Sequence, residues 1–173
     1  MQGKRLTLVS VMDGAIIVNM LKPGGCKTLV EYAAKMFVLC AKKEQNCAKR
    51  VDIVWDQYID NSLKASTREK RASCPSQRRR VEATSPIPKR WQQFLRLDSN
   101  KIELSQFLNN ELLSSASAEQ PLIVTDGGNV LCVPDRNVKM IVPCNHKEAD
   151  SMIFVHVSYA FLQGFHKTLV LGP

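Results

Sequence analysis

Four carboxylates stand where a hard cation could be held. Asp13 ends the apolar run of residues 6–12, and Asp56 follows the run of residues 50–55. Glu148 and Asp150 fall in the first turn of a helix expected to open at Asn145. Oxygen ligands gathered in this way suit Mg²⁺ or Mn²⁺. Two such ions about 4 Å apart can activate water and stabilise the leaving oxygen of a phosphodiester. Residue type alone does not establish this chemistry. Acids at a helix N-terminus favour the macrodipole without any function, and a strand-terminal Asp is a common turn residue. What matters is whether the elements that carry these acids bring them to one place.

Those elements can be read from period and punctuation. Residues 6–12 (LTLVSVM) and 50–55 (RVDIVW) are short and rich in β-formers, and both end at an acid. Between them, apolar residues at 29, 33, 36, 37 and 40 have helix spacing over 28–43. A shorter helical stretch, 15–21, stops at Pro23-Gly24-Gly25. Residues 57–71 read as a helix that becomes basic toward its end. Asn100-x-x-Glu103 fits a capping box ahead of Ile102, Leu104, Phe107, Leu108 and Leu112. Residues 122–125 and 130–133 flank Gly127-Gly128 as a hairpin. Asn145-x-x-Glu148 is a second box, opening a helix that runs to Gln163 and stops at Gly164. Residues 167–171 (KTLVL) form a last strand. Strands alternating with helices predict an α/β fold of three layers, a parallel sheet flanked by helices. Ligands of such sheets bind beyond the carboxyl ends of the strands, where Asp13 and Asp56 are expected.

A second chemistry is electrostatic. The 173 residues carry 24 Lys and Arg against 16 Asp and Glu, for a net charge of +8. Residues 64–96 contain ten of the bases and two of the acids, so the remainder of the chain is balanced. A neutral scaffold with one basic segment has the charge distribution expected for a polyanion partner, although a solvated loop accounts for a charge run as well. Arg78, Arg79 and Arg80 are the densest part of it. Residues 72–90 hold three prolines and no apolar period, which predicts a flexible basic insert within a single domain.

Other chemistries fit less well. Cys132, Cys144, His146 and His156 have no zinc-finger spacing. The chain has neither a glycine-rich phosphate loop nor a G-x-S-x-G elbow. Six cysteines without a Cys-x-x-Cys pair, two of them in apolar runs, are expected to be free thiols of an intracellular protein, nuclear or cytoplasmic. The uncharged stretch of residues 151–165 is shorter than the roughly 20 residues of a spanning helix, so no membrane partner is expected. Trp55 and Trp91 are expected as core or interface anchors, not base-stacking platforms.

Several blocks carry a resemblance: MDGAIIVNMLKPGGCKTLVEYA (12–33), RVDIVWDQYIDNSLKASTREKR (50–71), RRRV (78–81), WQQFLRLDSNKIELSQFL (91–108) and PCNHKEAD (143–150). In them the chain resembles an uncharacterised, mobile-element-associated group of animal proteins. Through a few acids it also resembles the PIN-like nucleases, in particular their flap-endonuclease branch. The resemblance implies a PIN-like fold, with Asp13, Asp56, Glu148 and Asp150 at metal-ligand and catalytic positions. It implies Mg²⁺ or Mn²⁺ as cofactor and DNA or RNA as partner. Lys64, Arg68 and Arg71 fall where flap endonucleases hold DNA phosphates. The nuclease family continues after a strand like KTLVL with an Asp-x-Asp segment, whereas here Gly172-Pro173 follow. Met152 also stands where the related group usually has Arg. The implied protein is a nuclease-like nucleic-acid binder, incomplete at its C-terminus and catalytically impaired. The alternative is a non-catalytic interaction domain derived from a mobile element.

Overall fold

A computed structural model describes residues 8–57, 77–135, 138–141 and 149–172. Its centre is a five-stranded sheet in the order β4-β3-β2-β1-β5. The strands are β1 (Leu8–Asp13), β2 (Arg50–Val54), β3 (Leu122–Asp126), β4 (Asn129–Val133) and β5 (Lys167–Leu171). β1 pairs in parallel with β2 and β5, and β2 with β3; β4 returns antiparallel from β3. The inner strands β1 and β2 are buried along nearly their whole length. This fits their largely apolar sequence, since a parallel sheet is covered on both faces. β4 and β5, at the two edges, are only partly covered.

Helices cover both faces. On one lie α1 (Gly14–Met20), α2 (Leu29–Tyr32), a π-helical turn (Ala33–Phe37), α3 (Val38–Cys47), α4 (Trp91–Phe94) and α5 (Asp98–Ser114). Tyr32, Phe37, Leu104, Leu108 and Leu112 of this layer pack on Met12, Ile53 and Val124 of the sheet. α6 (Ala149–Leu162) covers the opposite face, with Met152, Ile153 and Ala160 against Val9, Val11 and Val54. The molecule is therefore α/β with a mostly parallel sheet flanked by helices. Among the described residues no helix is long and apolar enough to cross a membrane.

The elements depart from the sequence reading in three places. The helix read over 28–43 continues as far as Cys47. Thr28 caps it, accepting from the Glu31 amide at 3.4 Å. Asn100 does not cap α5, which begins two residues earlier at Asp98. Instead Asn100 is fully buried and donates to the carbonyls of Phe94 and Gln77 at 3.0 and 3.3 Å, while its Oδ1 accepts from the Arg79 amide at 3.0 Å. Its partner in the supposed box, Glu103, accepts from the Val81 amide at 3.2 Å. The Asn-x-x-Glu signal is thus real polar chemistry, directed at another segment.

That segment is the basic insert. Residues 77–90 form no helix, but they are fastened on both sides, by α5 as above and by the first turn of α2 with Lys27 just before it. Leu29 and Val30 donate to the carbonyls of Ser85 and Ala83, and Ile87 donates to that of Lys27. The flexible insert expected over 72–90 is, over its described part, a strap tied down by backbone hydrogen bonds. The remainder of that insert, the helix expected over 57–71 beyond Gln57, and the box at Asn145 lie outside the described residues.

Candidate acidic site at the sheet edge

Three of the four nominated acids meet at the carboxyl edge of β1 and β2. Asp13 is the last residue of β1, paired in register with Val54 of β2. Asp56 follows two residues later. Strand alternation sets Asp13 with Val9 and Val11 on the face that α6 covers. The Asp56 Oδ1 accepts from the Ala149 amide at 2.8 Å, which fixes the start of α6 against the end of β2. Asp150 is the next residue of that helix, exposed to solvent. Glu148 lies outside the described residues.

Asp13 is 6% exposed and caps α1, its Oδ1 accepting from the Ile16 amide at 3.0 Å. Burial pushes its pKa above the ordinary carboxylate value; the Ile16 amide works against that shift, and the charges of Asp56 and Asp150 add to it. Asp56 and Asp150 are therefore near enough to Asp13 to oppose its ionisation.

A cluster of buried groups holds this edge. The Trp55 amide donates to Thr125 Oγ1 at 2.8 Å, and its indole Nε1 donates to Asn109 Oδ1 at 2.9 Å. Asn109 in turn donates to the Thr125 carbonyl at 2.9 Å. The Trp55 ring stacks on Phe37 and lies directly over Gly14, where a β-carbon would sit 2.5 Å from the ring. Only glycine lets α1 start so close to β2, and this closeness sets Asp13 beside Asp56. Trp55 and Trp91, each 7% exposed, are the core anchors expected of them.

The donor set is all oxygen, which suits a hard cation. Among the described residues, however, no three acidic, histidine or cysteine side chains come close enough to hold one ion directly. Such a set fits a Mg²⁺ or Mn²⁺ that keeps several waters and touches one or two carboxylates.

The nominated bases separate into distinct groups. Lys64, Arg68 and Arg71 lie outside the described residues. Arg78 is paired with Glu103 at 2.9 Å, and Arg80 with Glu82 at 2.8 Å. The Arg78 bond is also the main reason that the Glu103 pKa lies below the ordinary value. Arg79, between them, forms no ion pair among the described residues.

The sequence reading missed a second polar cluster, under α6. Arg50 grips Asp52 through two hydrogen bonds of 2.8 and 2.9 Å, and His156 Nδ1 meets the same carboxylate at 2.8 Å. Asp52 and His156 are fully buried and Arg50 is 4% exposed. The Arg50 guanidinium also lies 5.1 Å from the ring centre of Tyr159. The available signal was two opposite charges at i and i+2 in an apolar strand, hence on one face of it. His156, considered beforehand for zinc, is committed to this cluster; Cys144 and His146 lie outside the described residues. Among the described residues Cys26, Cys40 and Cys47 carry free thiols, and Cys132 Sγ donates to the Pro134 carbonyl at 3.2 Å.

No protein-family model matches the chain, and comparison with curated proteins and with solved structures gives no match.

Proposed function

We propose that this protein is a PIN-like, nuclease-like nucleic-acid-binding protein. In this reading Asp13, Asp56, Glu148 and Asp150 attract Mg²⁺ or Mn²⁺ to the sheet edge, and the ion draws a phosphodiester of DNA or RNA to the same place. The observation that carries the reading is the position of Asp13, a buried carboxyl at the end of the interior strand β1 whose pKa is raised first by burial and further by two neighbouring acids. Carboxylates held together against their own repulsion gain from a divalent cation between them. The position is also the one at which parallel α/β sheets bind ligands. A bound cation would act as a Lewis acid on a phosphoryl oxygen. The protein's own contribution is to hold the carboxylates and exclude water from the Asp13 side. Two-metal hydrolysis needs both ions clamped, and the described carboxylates do not enclose even one. Cleavage is therefore expected to be slow.

A second reading has its own support. Asp13 caps α1, and Asp56 fixes α6, so both acids have structural roles without any metal. The protein would then be a non-catalytic interaction domain derived from a mobile element. Calorimetric titration with Mn²⁺ separates the two. Saturable binding, lost in Asp56→Asn and Asp150→Asn variants that melt like the wild type, supports the nuclease-like reading. No heat of binding leaves the interaction domain.

A further inference from the structure

Away from the acidic edge, five cations gather around α4. Two concavities adjoin there. One, of about 280 Å³, has Pro88 and Phe94 in its lining with Arg79, Lys89 and Arg90. The other, of about 480 Å³, continues on the far side of Arg90 to Lys22 and Arg96. Gln93 lines both, and no acid lines either. None of these five cations forms an ion pair among the described residues, whereas their neighbours Arg78 and Arg80 do. Cations held close together without counter-charges create a local field that an anion relieves.

The groove is also firmly built. The Arg79 amide is tied to buried Asn100 at 3.0 Å. Trp91, below the second concavity, donates from Nε1 to the Val18 carbonyl at 3.1 Å. Its ring packs against Tyr32 and Phe94, with centres 4.8 and 5.4 Å away. The strap, the end of α1 and α4 are thereby locked into one surface.

We infer that this groove seats the phosphate backbone of a nucleic-acid strand, a few nucleotides from the acidic edge; the inference rests on the nucleic-acid reading and adds to it where the strand runs. α1 links the two places. It starts next to Asp13 and spans seven residues to Met20, about 10 Å at 1.5 Å per residue, and Lys22 of the groove follows. That length corresponds to about three nucleotide steps of 3.4 Å. The groove offers charges and the Gln93 amide but no exposed aromatic platform, so it contacts phosphates and does not select bases. Arg78 is committed to Glu103 of α5 and Arg80 to Glu82 within the strap, and Arg79 is the member of the triplet that faces the nucleic acid.

The test is fluorescence anisotropy of labelled single-stranded DNA of mixed sequence, titrated over a salt series and repeated with RNA of the same sequence. The Lys89→Ala/Arg90→Ala and Lys22→Ala/Arg96→Ala variants should each lower the salt slope by about 1.4, at about 0.7 per lost single-strand contact. Arg78→Ala/Arg80→Ala should lower it by less than half as much. Arg90→Lys should keep the wild-type slope and Arg90→Gln should not, which guards against a fold defect in the doubles. Wild-type binding with unchanged slopes in both groove doubles would overturn the groove and leave the nucleic-acid reading in place. A wild-type protein that binds neither DNA nor RNA would overturn both.

Discussion

Replacing Asp13 by Asn and by Ala separates the two roles of its carboxylate. As an acceptor it takes the Ile16 amide at 3.0 Å and closes the start of α1. As a charge it is 6% exposed, beside two other acids, with its pKa raised first of all by burial. A carboxyl whose folded pKa lies above its unfolded value contributes stability fully below the unfolded pKa. That contribution is lost as pH rises through the folded pKa. At neutral pH ionised Asp13 therefore works against folding. Asn retains the acceptor and removes the charge, so Asp13→Asn should melt at or above the wild type at neutral pH. The gap should close as pH falls into the carboxylate range. Ala removes both, and the lost N-cap costs about 1 kcal/mol, or about 2–4 °C for a domain of this size. Asn and Ala should thus differ by that amount across the whole pH series. Mn²⁺ at ten times its Kd should add about 1.4 kcal/mol to the wild type by mass action, and much less to either variant. Differential scanning fluorimetry over pH, with and without Mn²⁺, reads all of these. If Asp13→Asn is destabilised as much as Asp13→Ala at neutral pH, the fold welcomes the Asp13 charge and the repulsion argument is wrong.

Three further substitutions test the scaffold. Gly14→Ala drives a methyl into the Trp55 ring, which hydrogen bonds and stacking hold in place; overpacking should cost about 1–3 kcal/mol in urea unfolding, and a neutral effect would mean that the ring can move. Asp52→Ala leaves Arg50 charged and unpaired in the interior and should cost about 3–5 kcal/mol, whereas Arg50→Met/Asp52→Leu should recover most of it; a double variant no better than the single would show that the cluster needs its charges. Asn100→Ala removes the side chain that ties Gln77 and Arg79 to α5, so limited proteolysis should cut within 77–81 much faster while circular dichroism keeps its helical signal. Equal cleavage rates would mean that the Glu103 and Leu29 bonds hold the strap alone.

The inner strands were legible because burial on both faces favours a largely apolar run, and β4 and β5 because Gly127-Gly128 and Gly164 mark where they begin; each of the five was found within two residues of its observed bounds. The end of α3 was not, since Lys42 to Asn46 are all polar and show no apolar period, although Gln45 among them is buried. Asn100 misled for a related reason. Its type and its distance from Glu103 specify a hydrogen-bonding task, but the groups it serves, Gln77 and Arg79, are more than twenty residues back in the chain.

The same limit separates the acids from the bases. Each strand-end acid is placed by its own strand, and four strands running parallel put their carboxyl ends on one edge. Local sequence therefore located Asp13 and Asp56, although it could not make β1 and β2 neighbours. Charge density is different, because a base is available to a ligand only if no acid reaches it, and that acid can come from anywhere. Arg78, Arg79 and Arg80 are equivalent in sequence, yet Glu103 takes the first and Glu82 the third. Lys22 lies far outside the basic segment and still joins Arg90 and Arg96, because the Trp91 indole ties α4 to the end of α1. A basic segment in a sequence therefore gives the net charge a fold has to place, while the unpaired part of that charge, where an anion would bind, is decided by tertiary contacts.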